Sequence, residues 1–134
     1  FAQVIKLKPE ALEEYKRIHA DVWPTVLKRI SDCHIKNYSI FLKEPELILF
    51  AYFEYHGHDF EADMKAMAAD SETQRWWAIT DVMQEPFEPR KAGEWWSRLE
   101  EVFLTSQRST ILLLRWLPMV PSKPCPMFRR AKRS

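Results

Sequence analysis

Tyr15 and His19 stand four residues apart in a segment where Leu12, Tyr15, Ile18, His19 and Val22 recur at helical spacing. The two side chains are therefore neighbours on one face of an amphipathic helix. A histidine beside a phenol, in a partly desolvated pocket, can move a proton near neutral pH. A core histidine satisfied by a backbone carbonyl is the open alternative. The second chemical feature is the doublet Trp76-Trp77, which follows Gln74-Arg75. Adjacent helix positions point about 100° apart, so both rings cannot bury against one surface. One ring can join the core while the other walls a cleft, and a flat indole face suits the C–H face of a sugar. Two half-buried structural rings are the plainer reading. Tyr38, in a β-rich run, offers a further phenol toward the same helix face, or an ordinary aromatic strand residue.

Other residue types carry less. His56-Gly57-His58 has no third ligand at metal-site spacing and reads as a strand-to-helix turn, so no metal is expected. Asp70 and Asp81 fit helix-end and surface roles. No Ser/His/Asp or Cys/His triad can be assembled. The two glycines exclude phosphate-cradling loops and a dinucleotide fingerprint.

The elements that would hold these residues follow from periodicity. Phe1–Leu7 alternates as a first strand. Pro9 opens a helix that Pro24 breaks, and Val26, Leu27 and Ile30 carry a second piece toward Cys33. Ile35–Leu42 and Leu47–Tyr55 form a hairpin across Lys43-Glu44-Pro45-Glu46. The second run is apolar at successive positions, which predicts cover on both faces. Helices can cover one face, and a second subunit is the simplest cover for the other. Phe60, Met64 and Met67 mark another helix with Asp59 as its N-cap. Ser71-Glu72-Thr73-Gln74 has the form of a capping box that starts a helix at Glu72, with Trp76, Ile79 and Met83 as its core stripe and Trp77 on the flank. Residues 84–98, with Pro86, Pro89 and Trp95-Trp96, read as a loop, and Leu99–Leu104 as the last strand. The resulting α+β order is βαββαβ, a ferredoxin-like plan with both helical layers split.

In a chain of 134 residues, 46% hydrophobic and 13% aromatic, there is room for one globular domain. Residues 1–106 hold 13 basic against 19 acidic side chains, a net −6, whereas residues 107–134 hold seven basic and no acidic ones. The body is thus an acidic domain unsuited to nucleic acid, followed by a basic, Pro-rich tail expected to be a poorly ordered extension. Cys33 and Cys125 give no disulfide framework, which points to a reduced, cytoplasmic setting. The apolar run Ile111–Leu117 is short and interrupted by Arg115, so no membrane span is expected. The sequence opens at Phe1 rather than Met, which reads as a truncated or processed N-terminus, with no signal peptide visible.

Together these residues resemble the L-rhamnose mutarotase family. The resemblance runs through Glu13-Glu14-Tyr15 with His19, Trp23-Pro24, Asn37-Tyr38-Ser39-Ile40, Leu49-Phe50-Ala51, Gln74-Arg75-Trp76-Trp77, Thr80-Asp81-Val82-Met83 and Leu99-Glu100-Glu101-Val102-Phe103. It implies a homodimeric α+β barrel, an isomerase that interconverts the anomers of a deoxy-sugar without cofactor or metal. By that resemblance His19 matches the proton donor, and Tyr15, Tyr38, Trp76 and Trp77 match sugar-binding positions. Two rival readings remain on the same fold: a cofactor-free or haem-dependent monooxygenase, and a non-enzymatic interaction domain docking through the basic tail. Trp95-Trp96, in a loop expected to shape the pocket and bear on which sugar fits, and the tail have no counterpart in the resemblance.

Overall fold

The computed structural model describes residues 1–105. The chain runs β1 (Ala2–Leu7), a 3-10 turn (Pro9–Ala11), α1 (Leu12–His19), α2 (Pro24–Asp32), β2 (Ile35–Lys43), β3 (Ile48–Tyr55), α3 (Phe60–Ala69), α4 (Ser71–Asp81), β4 (Gln84–Glu85) and β5 (Ser97–Arg98). The antiparallel sheet has the order β2-β3-β1-β4, with β5 also paired to β1. This is the expected α+β plan with both helical layers split. The basic tail, from residue 107, lies outside the described residues.

Each helical break has a local cause. Trp23, forced extended by the following proline, has φ −54° and ψ 132° and separates α1 from α2. Asp70, at φ −72° and ψ 122°, separates α3 from α4. Its carboxylate accepts from the Thr73 amide at 2.9 Å and the Thr73 hydroxyl at 2.8 Å. The cap of α4 is therefore Asp70, one residue earlier than the capping box that Ser71 suggested, with one carboxylate oxygen taking both Thr73 donors. Arg29 of α2 lies 3.0 Å from the same carboxylate and ties the two helices together. Asp59 caps α3 as expected, accepting from the Ala62 amide at 3.0 Å.

Strand alternation decides what faces the helices. Ile5 and Leu7 of β1, with Leu49, Ala51 and Phe53 of β3, are buried beneath them together with Met64 and Met67 of α3. Burying each large side chain contributes about 1.5–3 kcal/mol. The other face is bare: Phe41, Phe50 and Tyr52 are exposed. The continuous apolar run in β3 therefore has one face covered by its own chain and one left open.

Two expectations are corrected near the C-terminal end. Residues 84–98 are not loop throughout. Their ends pair with β1, Gln84 and Glu85 opposite Leu7 and Lys6, and Ser97 and Arg98 opposite Val4 and Gln3. Pro86 and Pro89, which cannot donate to a ladder, keep these two short pieces apart. Leu99–Leu104 is not a strand in this chain. The Leu99 amide still bonds the Ala2 carbonyl at 2.9 Å, but there the antiparallel ladder runs off the start of β1. Val102, Phe103 and Leu104 are left exposed.

Candidate active site

A cavity of about 300 Å³ opens between the helices and the sheet, at the small end of ligand pockets. Tyr15, His19, Tyr38, Trp76 and Trp77 all line it, so the residues singled out from the sequence converge on one place. Gln84, Thr73, Thr80 and Trp96 add polar and aromatic wall, while Val22, Val26, Leu27, Ile30, Ile40 and Met67 supply an apolar one. No carboxylate, lysine or arginine lines the cavity among the described residues. Such a site suits a neutral ligand with both hydroxyl and hydrocarbon surface.

His19 is the last residue of α1. Its Nδ1 lies 2.8 Å from the Tyr15 carbonyl oxygen. A carbonyl only accepts, so Nδ1 carries the proton and the neutral ring presents Nε2 as its lone-pair nitrogen. The alternative of a histidine satisfied by a backbone carbonyl is thus part of the answer, because that bond fixes the tautomer of a ring that also faces the cavity. The His19 ring stacks on Tyr15 with centroids 4.0 Å apart and meets the Trp76 edge at 5.4 Å. Burial holds its pKa below the ordinary 6.5, opposed by the carbonyl contact.

Tyr15 is buried, and its hydroxyl receives a 3.4 Å bond from the Gln84 amide. Burial raises its pKa far above the usual phenol range, the neighbouring Tyr38 adds to the rise, and the Gln84 bond offsets part of it. Burial likewise pushes Tyr38 up to about 12. Both phenols therefore stay protonated across the physiological range.

Tyr38 reaches the cavity through a β-bulge. Lys36 pairs with Glu54 and Ser39 with Tyr52, so two residues of β2 stand opposite Phe53 alone. Asn37, at φ 49°, absorbs the extra residue in a left-handed conformation that asparagine tolerates. The bulge inverts the alternation. Ile35 faces the core before it, and Tyr38 and Ile40 face the cavity after it, where regular pleating would have presented Asn37 and Ser39.

On α4 the buried residues are Thr73, Trp76 and Thr80, at spacings of three and four. The expected stripe of Trp76, Ile79 and Met83 is corrected: Ile79 is exposed, and threonines take the inward positions because they face a polar-lined cavity. Trp76 is buried, its edge against Trp23 at 5.3 Å, and Trp77 is half-buried against the core. Core and cleft roles therefore coexist in both rings.

The sequence reading missed Gln84, Thr73 and Thr80, and it tied Trp96 to the site only as part of a pocket-shaping loop. Trp95-Trp96 was the visible signal, a second doublet in a segment with no evident reason to hold one. Trp96 is buried against the core and walls the cavity, while the Trp95 indole donates to Gln84 Oε1 at 3.0 Å. His34, His56 and His58 lie outside the cavity lining, and no group of three or more His, Cys, Asp or Glu is placed to hold a metal among the described residues. No helix among them is long and apolar enough to cross a membrane.

Comparison with known proteins bears on this site. The profile of the L-rhamnose mutarotase family matches residues 1–105. The L-rhamnose mutarotases of Shigella flexneri and Escherichia coli K12 are each 36% identical over 103 residues, which is 76% of this chain and 93% of theirs. The crystal structure of an L-rhamnose mutarotase from Formosa agariphila shares the fold with a TM-score of 0.61 at 24% identity, over 78% of this chain and 96% of that one. The monooxygenase and interaction-domain readings gain no support from these relatives. The chain belongs to the L-rhamnose mutarotase family.

Proposed function

We propose that the cavity opens and recloses the pyranose ring of L-rhamnose or a related deoxy-sugar, interconverting its α and β anomers. The enzyme is a sugar mutarotase, an isomerase. The observation that carries the mechanism is His19, held in one tautomer against a neutral, mixed polar and apolar pocket. Ring opening needs a proton on the ring oxygen and removal of the proton from the anomeric hydroxyl. Protonated His19 delivers the first from Nε2, since Nδ1 is committed to the Tyr15 carbonyl. Its depressed pKa makes the imidazolium a stronger acid. The free aldehyde then presents its other face, and the sugar oxygen closes on it as His19 takes its proton back. With both phenols protonated, water accepts the anomeric proton on opening and returns it to the new anomeric oxygen on reclosure.

Binding is shared among the other walls. Tyr15 and Tyr38 hydrogen-bond sugar hydroxyls, and Trp76 and Trp77 lie along the hydrocarbon face and fix its orientation. A second copy of the chain covers the exposed face of the sheet, giving a homodimer. Phe41, Phe50 and Tyr52 form the apolar surface it needs, and Leu99, Val102, Phe103 and Leu104 extend beyond the ladder as exposed apolar groups. The buried, free Cys33 fits a reduced cytoplasmic setting.

The test is anomer exchange by saturation-transfer NMR across a panel of L-rhamnose, fucose and other monosaccharides. Accelerated exchange is expected for L-rhamnose or a close deoxy relative. A panel with no acceleration over buffer sinks the reading.

A further inference from the structure

Trp95 does not line the cavity, yet it is joined to it by a directed chain of hydrogen bonds. Its indole Nε1 lies 3.0 Å from Oε1 of Gln84, and Nε2 of Gln84 lies 3.4 Å from the Tyr15 hydroxyl. Gln84 is buried, so its amide is not exchanging these partners for bulk water. An amide can be turned end for end, but an indole N–H only donates. Trp95 therefore fixes the oxygen end of Gln84 toward itself, which sends the amide N–H₂ toward Tyr15. A phenol oxygen that accepts from an N–H directs its own proton elsewhere. The Tyr15 side chain lines the cavity, so the proton turned away from Gln84 has the cavity open to it.

From this we infer that Gln84 and Trp95 are positioning residues that commit the Tyr15 hydroxyl to donate into the sugar site, so that Tyr15 reads an acceptor oxygen on the substrate. The inference rests on the sugar-site reading of the cavity. Burial keeps the Tyr15 phenol protonated, which preserves the donor at working pH. Trp95 is itself held in place, packed against the core with the Arg90 guanidinium 5.5 Å above its ring. The second tryptophan doublet thus divides its work: Trp96 walls the cavity and Trp95 sets the polarity of one of its hydroxyls.

The discriminating variant is Gln84→Glu. An ionised carboxylate accepts from both Trp95 and Tyr15 and withdraws the tyrosine proton from the cavity. A protonated carboxyl restores the original pattern, accepting from Trp95 and donating to Tyr15. The titratable side chains of the cavity are His19, Tyr15 and Tyr38, and taking the ratio of variant to wild type at each pH cancels the titration they have in common. The KM ratio of Gln84→Glu is expected to be raised about tenfold at pH 8, one lost hydrogen bond, and to fall toward one as the pH drops through the new carboxyl's pKa. Gln84→Met should raise KM without that pH dependence. Trp95→Phe, which keeps the packing and removes the N–H, should raise KM with kcat little changed, and carries the test if the buried carboxyl prevents folding. A Gln84→Glu ratio that is flat with pH, or a Trp95→Phe enzyme with wild-type KM, overturns the inference. A wild type that does not accelerate exchange overturns the sugar-site reading instead. The Trp95 indole N–H resonance separates the two: its shift in Gln84→Met supports the link, and an unmoved resonance refutes it.

Discussion

The two faces of β3 differ in what the chain itself provides. Toward the helices, Leu49, Ala51 and Phe53 are at most 2% exposed, and beside them the polar groups that matter are held by named partners: His19 by a carbonyl, Tyr15 by Gln84, Gln84 by Trp95. On the opposite face Phe50 and Tyr52, one residue out of phase, are 39% and 45% exposed, and Phe41 of β2 is 63% exposed. The same strand thus backs a finished core on one side, where its Phe53 ring meets cavity-lining Tyr38 edge-on at 5.8 Å, and leaves an unfinished hydrophobic surface on the other. In the proposed dimer, chemistry and assembly lie on opposite sides of the pleat, so each can be perturbed with little disturbance of the other.

The largest expected effect lies on the finished side. His19→Ala should lower anomer exchange by roughly 10²–10⁴-fold, the range general acid catalysis contributes, with the oligomeric state unchanged. Exchange at the wild-type rate in a folded variant removes His19 from the mechanism. The sign of the pH dependence tests its role further. Because burial holds the His19 pKa below 6.5 and the acid form reacts, kcat/KM should fall as pH rises through that lowered pKa and level off on its acid side. A rise with pH would make His19 the base.

The complementary break is Phe50→Lys on the bare face. A charge in the centre of an apolar interface should weaken self-association on the order of 30-fold, as loss of a hot-spot residue does, measured by sedimentation equilibrium. The monomer should keep its helices and its cavity, since Phe50 points away from both. A wild type that sediments as a monomer refutes the dimer, and a variant with unchanged association places its contact elsewhere.

That separation was only partly legible in the sequence. Helical spacing put Tyr15 and His19 on one face, and adjacency divided Trp76 from Trp77, because both are local geometric rules. The apolar run of β3 announced two covered faces and pointed to a second subunit for one of them, and the chain by itself leaves that face exposed. The bulge at Asn37 could not be read, since one extra residue in β2 has no marker in the sequence and yet decides whether Tyr38 or Asn37 faces the cavity. Gln84 was invisible for a related reason. Its role comes from pairing with Leu7, far away in the chain, and from Trp95, whose loop has no period. The last strand failed for a non-local cause as well, for Leu99, Val102, Phe103 and Leu104 are apolar but their own sheet ends before them.

Trp77→Ala sharpens the comparison from within the site. Trp77 is half-buried, so removing it takes away ring surface from the cavity as well as packing from the core. We expect KM to rise about tenfold, near 1.4 kcal/mol of lost ring contact, with kcat changed less. An unchanged KM would return Trp77 to the core alone, leaving Trp76 and Trp96 as the aromatic walls.

The smallest expected effect concerns residues 107–134. The family profile ends at residue 105, and the described residues already supply a complete set of walls to the cavity. The charge difference argues the same way, since a strongly basic segment adds nothing to a cavity lined by neutral groups. A chain ending at residue 106 should therefore keep kcat and KM within about twofold in the exchange assay, a difference of under 0.5 kcal/mol. Loss of exchange together with loss of association would tie the tail to the bare face of the sheet. Loss of exchange with association intact would carry it into the site and dissolve the separation between the two faces.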